Sequence, residues 1–215
     1  MPRIRPLSRT EVRPDVLPAY DRMFGEGVDP TADPNASSST GTPGHYVSVW
    51  AHAPDVRSAM FAFSWAKAAI DPKLRELAMM RTGYVVGSQF VYSQHCKMAR
   101  DVGLDEARIR AVPFWPVSDL FDERERAVLA YVDCVVLQQG RVHDEIFAAL
   151  RKQLPEDQVL ELTYFTTLYV THALHCKALR LEYDDVPDRI VEIPAPAERG
   201  LQDWDNRKWT DQART

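Results

Sequence analysis

The residues of this sequence best suited to chemistry are a carboxylate and an imidazole on either side of one predicted turn. Glu76 lies 11 residues before a Gly87-Ser88 pair, and His95 lies 7 residues after Ser88. Glycine is the preferred C-terminal cap of a helix and serine a good N-cap, so the pair predicts a turn between two antiparallel helices. Such a turn brings Glu76 and His95 to a similar depth. Together they could relay a proton, because burial and a charged partner tune both groups toward neutral pH.

Further side chains near this pair are candidates for binding a substrate. Ser88, Tyr92 and His95 fall on one helix face at i, i+4 and i+7, which offers the two hydroxyls to the same pocket. Arg81 is a candidate clamp for an anion, since a guanidinium pairs bidentately with a carboxylate. Trp65 is a candidate pocket wall. A structural interpretation, as core side chains or as a solvated arginine, remains open for each of these positions.

The elements that position these residues are predicted to be helices. Between residues 46 and 181 apolar residues recur at helical spacing, with little of the alternation typical of strands. Asp71-Pro72 is a helix start signal, because aspartate caps well and proline suits the first helical position. Asp55 is predicted to cap a preceding helix that extends to about Ile70. We therefore predict an all-α fold of antiparallel helix hairpins.

The chain is predicted to consist of three parts. Residues 1–44 form an N-terminal extension with one helix and a long loop, residues 45–182 form the helical domain, and residues 183–215 form an extended C-terminal tail. Trp204 and Trp209 lie on this proline-containing, polar tail. Because aromatic anchors dominate interface energetics, we expect them to dock the tail on the body or on a neighbouring subunit.

Composition excludes several classes of protein. The 215 residues carry a net charge of −5, so there is no electrostatic footprint for nucleic acid. The longest apolar runs are too short to span a membrane, and no membrane partner is expected. The three cysteines, Cys96, Cys134 and Cys176, include no CxxC pair, which indicates a reducing compartment and predicts a cytoplasmic protein.

Motifs for common cofactors are missing from the sequence. It has no GxGxxG, no P-loop and no GxSxG, so nucleotide-dependent and serine-hydrolase chemistry have no support. His172 and His175 with the adjacent Cys176 supply too few ligands for a closed zinc site, which needs about four. We therefore predict an enzyme without a metal or cofactor that acts on a small-molecule substrate.

The segment from Leu74 to Ala111 resembles the carboxymuconolactone decarboxylase family, which includes the AhpD alkylhydroperoxidases. The shared frame consists of the sequence LREL at 74–77, then Gly87, Tyr92, His95, Ala99 and Gly103-Leu104, followed by the acidic helix start at 105–106. The similarity extends over about residues 45–182. It implies an AhpD-like helical bundle in which Glu76 and His95 form the proton relay.

Two positions set this chain apart from the peroxidase branch of that family, which carries two cysteines before the histidine. This chain has Ser88 and Val91 there, and neither side chain forms a thiolate or a disulfide. The chain is thus similar to the branch lacking the CxxC cysteines, close to the lactone decarboxylases. That implies cofactor-independent acid/base chemistry, a decarboxylation or a related lyase or isomerase step, on a small carboxylated ring or lactone. It also implies a homo-oligomer, which we expect to be a dimer, trimer or hexamer.

Two other functions stay open at this point. The first is an AhpD-like oxidoreductase or peroxidase that uses Cys96 in an atypical arrangement. The second is a non-catalytic oligomeric binding protein that kept the scaffold and lost the chemistry. A pocket sealed by side chains, with Glu76 and His95 paired to backbone or to each other, would indicate the second.

Overall fold

The computed structural model describes residues 2–32, 37–63, 67–183 and 186–190. These residues contain nine α-helices and no strand, which confirms the all-α, AhpD-like class predicted from the sequence. Over the same residues, no helix is both long enough and apolar enough to cross a membrane. The helices are α1 (Leu17–Phe24), α2 (His45–Trp50), α3 (Pro54–Met60), α4 (Pro72–Val86), α5 (Gln89–Asp101), α6 (Glu106–Ala111), α7 (Glu123–Leu137), α8 (Asp144–Gln153) and α9 (Glu156–Leu179).

The central feature of the fold is the hairpin of α4 and α5, which forms where the sequence predicts it. The Asp71 side chain accepts a hydrogen bond from the Lys73 amide and so caps the start of α4. Gly87 ends α4 in the left-handed conformation, at φ 70°, which glycine adopts without a steric penalty. Ser88 then caps α5 by accepting a hydrogen bond from the Val91 amide. Local capping chemistry therefore fixes the turn between the two helices.

Helix α4 is the core of the molecule and packs against α5, α7 and α9. The four consecutive residues Leu77, Ala78, Met79 and Met80 are all fully buried, so the helix has no solvent-facing side at this level. A helix that is surrounded by protein on all sides shows no amphipathic pattern. Any polar side chain carried by this part of α4 is consequently a buried one.

A single glycine allows α4 and α5 to touch through their backbones. A β-carbon built on Gly83 would lie 2.7 Å from the Tyr92 amide nitrogen and 3.0 Å from the Tyr92 Cα. The first of these distances is shorter than any side chain tolerates, and backbone atoms cannot rotate out of the way. Gly83 thus sets the spacing of the two helices that carry Glu76 and His95.

The helix predicted after Asp55 is shorter than expected. It is α3, which ends well before Ile70, and the Asp55 carboxylate pairs with Arg13 instead of capping the helix. A helix does not reach Ile70 because the backbone N–H groups of Ala69 and Ile70 donate to the Glu161 carboxylate of α9, at 3.0 and 2.8 Å. Those two donors would bond to helical carbonyls if the helix continued.

Both ends of the described chain are attached to the helical body. The backbone and side chain of Arg3 donate to the last two carbonyls of α9. At the other end, the Gln89 side chain donates to the Asp188 carbonyl at 2.6 Å. Trp204 and Trp209 lie outside the described residues, so their docking remains a prediction, as does the division into three parts.

Candidate functional site

A buried hydrogen bond joins Glu76 of α4 to His95 of α5. The distance between His95 Nδ1 and Glu76 Oε2 is 2.7 Å, and the two side chains are 3% and 0% exposed. The other carboxylate oxygen of Glu76 accepts from Arg75 Nε at 3.2 Å. A buried carboxylate needs such compensation, and Arg75 supplies the positive charge. The meeting of Glu76 and His95 is thus what the antiparallel hairpin predicted.

The hydrogen bond to Glu76 determines which nitrogen of His95 serves a ligand. The Glu76 carboxylate accepts a hydrogen bond from Nδ1, so Nδ1 carries the proton. Nε2 is then the nitrogen that exchanges a proton with a ligand. The Tyr169 ring packs edge-on against the imidazole with centroids 4.5 Å apart, which restricts rotation of the ring. The geometry is that of a base or acid held in one orientation by a second residue.

A cavity of about 230 Å³ adjoins His95. Pockets for drug-sized ligands measure roughly 300–1,000 Å³, so this cavity is suited to a single substituted ring. Its apolar wall comes from helices α2, α3 and α5 and from the N-terminal region, and comprises Met23, Val47, Phe61, Phe90, Val91 and Met98. Its polar residues are Thr40, Arg57, Gln94 and Glu182, together with the rings of Tyr46, Tyr169 and His172.

Three buried polar atoms on this wall have no hydrogen-bond partner among the described residues. They are the Tyr46 hydroxyl, Arg57 Nε and His172 Nδ1. Burial lowers the pKa of His172 to about 3, with the charges of His95 and Arg57 acting in the same direction, so His172 is neutral near pH 7. Burial also raises the pKa of Tyr46 and lowers that of Arg57. Unsatisfied buried polar atoms are rare, and a cluster around one cavity points to a ligand.

Comparison with known proteins places the hairpin in a family. Residues 54–133 match the sequence model of the Carboxymuconolactone decarboxylase family, and this range contains both Glu76 and His95. The match therefore covers the part of the chain that holds the α4–α5 hairpin. The resemblance identified from the sequence is thereby confirmed. No curated protein matches the chain.

Solved structures of low sequence identity share the fold of this chain. The alkylhydroperoxidase AhpD core of a peroxidase-related protein from Ralstonia eutropha is 17% identical with a TM-score of 0.62, over 84% of this chain and 94% of that one. A debrominase, Bmp8, crystallised with 2,3,4-tribromopyrrole, is 17% identical with a TM-score of 0.64, over 85% and 92%. A putative antioxidant defence protein AhpD from Agrobacterium tumefaciens is 23% identical with a TM-score of 0.57, over 61% and 92%.

Among the described residues, the predicted substrate-binding residues Ser88, Tyr92 and Arg81 do not line the cavity at His95. Ser88 is buried, and its hydroxyl caps α5. Tyr92 borders a different, wider cleft, where its ring lies 5.7 Å from that of Tyr84. Trp65 is outside the described residues. The structure thus brings together Glu76 and His95 and leaves Ser88 and Tyr92 elsewhere.

Arg81 is engaged in structural contacts away from the cavity. Its Nε and Nη2 donate to the two carboxylate oxygens of Asp133, at 2.6 and 3.0 Å. Its Nη1 donates to the carbonyls of Val112 and Pro113. Through these four hydrogen bonds Arg81 ties α4 to α7 and to the segment after α6. These contacts do not support the predicted role of Arg81 as an anion clamp.

The cavity contains a different arginine, Arg57, that the sequence reasoning did not select. A signal for it exists, because Arg57 lies four residues before Phe61 and shares its helix face. An aromatic residue and an arginine on the same face are a pattern for an anionic ring. Tyr46 and His172 gave no comparable signal.

The three cysteines are all free and buried. Burial is the main cause that raises the pKa of Cys96 to about 12, with the Asp188 carboxylate adding to the effect. Reactive cysteines have the opposite property, a lowered pKa and an accessible thiolate. This placement disfavours the Cys96 oxidoreductase. The described residues also contain no group of three or more metal-ligating side chains.

Proposed function

We propose that the protein is a cofactor-independent acid/base enzyme acting on a small carboxylated ring or lactone, by decarboxylation or a related lyase or isomerase step. The observation that carries the proposal is the buried His95–Glu76 hydrogen bond beside a cavity of single-ring size. The family match over 54–133 supports it, because the same segment holds the pair and the cavity residue Phe61.

In this proposal His95 exchanges a proton with a carbon atom of the substrate through Nε2. Glu76 is a positioning residue: it accepts a hydrogen bond from Nδ1–H and stabilises the imidazolium that forms when Nε2 is also protonated. If the step is a decarboxylation, the C–C bond to the carboxylate breaks and carbon dioxide leaves. The electron pair moves into a conjugated carbonyl, and the Nε2 proton then bonds to carbon. The apolar wall strengthens these electrostatic effects by excluding water.

The cavity also distinguishes this proposal from a non-catalytic binding protein. Glu76 and His95 are paired with each other, which both functions accommodate. The space beside His95 is not filled by side chains, however, and a sealed pocket would be the mark of a scaffold without chemistry. The open cavity therefore favours catalysis.

The test measures carbon dioxide release and deuterium uptake from heavy water, using a panel of carboxylated lactones and β-keto acids. We compare the wild type with His95→Gln and Glu76→Gln, and with His143→Gln as a matched control, since His143 is exposed at the start of α8. Loss of a general acid or base costs about 10²–10⁴-fold in rate. We expect that loss for His95→Gln, a smaller one for Glu76→Gln and none for His143→Gln. Wild-type turnover by a folded His95→Gln protein would refute the relay.

We also propose that the chain forms a homo-oligomer. Support comes from α9, whose outer face carries the exposed apolar residues Leu160, Tyr164 and Leu174, at 71%, 37% and 51%. Large exposed apolar surfaces commonly mark protein interfaces. Light scattering at micromolar concentration should give a dimer, trimer or hexamer, and a monomer would contradict the proposal.

A further inference from the structure

Three helices each carry a residue that lines the cavity beside His95 and has a buried polar atom without a hydrogen-bond partner among the described residues. Tyr46 comes from α2, Arg57 from α3 and His172 from α9, and all three line that cavity. The Tyr46 and His172 rings lie 4.3 Å apart, and Phe61 packs edge-on against both, at 6.0 and 5.7 Å. The three polar groups are therefore neighbours within one aromatic enclosure.

The charge on Arg57 is the property that requires an explanation. No hydrogen bond or ion pair joins its side chain to another described residue, and its Nε is buried. Arg57 is partly buried, and a partly desolvated cation without a counter-ion is unfavourable, so a ligand that supplies the negative charge would stabilise it. Tyr46 and His172 are 6% and 8% exposed, so their unsatisfied atoms are not served by bulk solvent.

Glu182 limits how much negative charge the cavity accepts. It also lines the cavity, and its Oε1 accepts the Tyr46 backbone N–H at 2.7 Å. A ligand with one anionic group neutralises Arg57, whereas a second anionic group would be repelled by Glu182. Charge and volume together describe a flat ring that carries a single carboxylate.

We propose that Arg57, the Tyr46 hydroxyl and His172 Nδ1 form a carboxylate-binding subsite that holds a monoanionic ring with another of its carbons facing His95. The inference rests on the proposed function for the role of His95, and deepens it by assigning the group that is bound. A guanidinium stabilises a carboxylate that stays a carboxylate, and this stabilisation would be lost if carbon dioxide left from it. The bound carboxylate is thus retained, so among the proposed reactions this subsite favours a lyase or isomerase step at another ring carbon over decarboxylation.

Calorimetric titration with benzoate and with its neutral analogue benzamide tests the subsite without a known substrate. Charge-assisted hydrogen bonds are about twice as strong as neutral ones, so we expect the wild type to bind benzoate at least about tenfold more tightly than benzamide. Arg57→Gln should abolish that preference. Arg57→Lys should keep part of it, because the charge remains while the bidentate geometry is lost.

Two further variants make the outcome decisive. Tyr46→Phe retains the ring and removes only the hydroxyl, so we expect weaker benzoate binding from a protein of unchanged fold. His143→Gln should bind benzoate as the wild type does, because His143 is exposed and does not line the cavity. Absence of benzoate binding by the wild type, or equal binding by wild type and by folded Arg57→Gln, would overturn the subsite. A normal benzoate result together with wild-type turnover by His95→Gln would instead refute the proposed function alone.

Discussion

Replacing Gly83 by alanine tests whether the close approach of α4 and α5 sets the geometry of the relay. The added β-carbon would lie 2.7 Å from the Tyr92 amide nitrogen. Ordinary van der Waals separation is about 3.5 Å, so the two helices must move apart by roughly 0.8 Å. Overpacking of this kind costs about 1–3 kcal/mol, and alanine returns about 1 kcal/mol through its better helix propensity. The net loss of stability is therefore small, about 0–2 kcal/mol.

The displacement should affect the site more than it affects stability. Tyr92 is one turn from His95 on α5, so movement at Gly83 lengthens the His95–Glu76 hydrogen bond. A misplacement of about 1 Å in a catalytic group costs roughly 10²-fold in rate. For a chain of this length we expect a melting temperature lowered by no more than about 8 °C, together with a rate loss near two orders of magnitude.

The assays are thermal unfolding by circular dichroism, the turnover assay above, and proton NMR of the His95 Nδ1–H, assigned by its loss in His95→Gln. A lengthened hydrogen bond shifts that resonance upfield. The matched control is Gly140→Ala, which has no atom within 4 Å of the new β-carbon and strains only a left-handed residue after α7, at φ 84°. It should lose about 1 kcal/mol and keep the resonance unchanged. An unshifted resonance and full activity in Gly83→Ala would refute this reasoning.

Three other predictions concern titration, thiol reactivity and the arginine of α4. The pKa of His172 is lowered to about 3 in the folded state, so between about pH 6.5 and pH 3 only the unfolded chain binds a proton at this residue. As the pH falls through that range, the free energy of unfolding should decrease by up to about 1.4 kcal/mol per pH unit. Urea denaturation across that range should show a shallower pH dependence for His172→Gln, and an identical one would contradict this. All cysteines, including Cys96, should resist an aromatic disulfide reagent in the native protein and react after denaturation; rapid native labelling of Cys96 would reopen the oxidoreductase interpretation. Arg81→Gln should lower stability by about 3 kcal/mol through the unpaired Asp133 while leaving benzoate affinity intact, and weakened benzoate binding would restore its clamp role.

The sequence predicted the α4–α5 hairpin because its determinants are local. Asp71, Gly87 and Ser88 act within a few residues of their own positions, and each does so in the structure. The spacing of Glu76 and His95 about that turn then places them together without knowledge of the other helices. The ends of α4 and α5 at their shared turn, and the alignment of the two helices, can therefore be predicted from the sequence.

The rest of the cavity depends on packing between distant elements. Tyr46, Arg57 and His172 come from three helices whose arrangement no local signal specifies. Arg81 illustrates the same limit, because its partner Asp133 is 52 residues away and on another helix. The role of an arginine depends on the residues that its side chain contacts. Its position on a helix face indicates only the direction in which the side chain points.

A repeated sequence pattern shows how misleading similarity can be without packing. HCK at 95–97 recurs at 175–177, and Glu161 precedes the second copy as Glu76 precedes the first. In the structure Glu76 binds His95, whereas Glu161 binds the backbone before α4. The two copies share residue types and have different functions in the fold.

The serine cap of α5 bears on how this chain compares with the peroxidase branch that its sequence resembles. On that resemblance, Ser88 and Val91 stand where the branch carries cysteines. Changing Ser88 alone would remove the cap on the Val91 amide, at about 1 kcal/mol. Changing Val91 alone would remove packing volume at the contact with Gly83. Neither single change yields a dithiol and each lowers stability, so a mutational path from this sequence to a dithiol at 88 and 91 passes through less stable single variants.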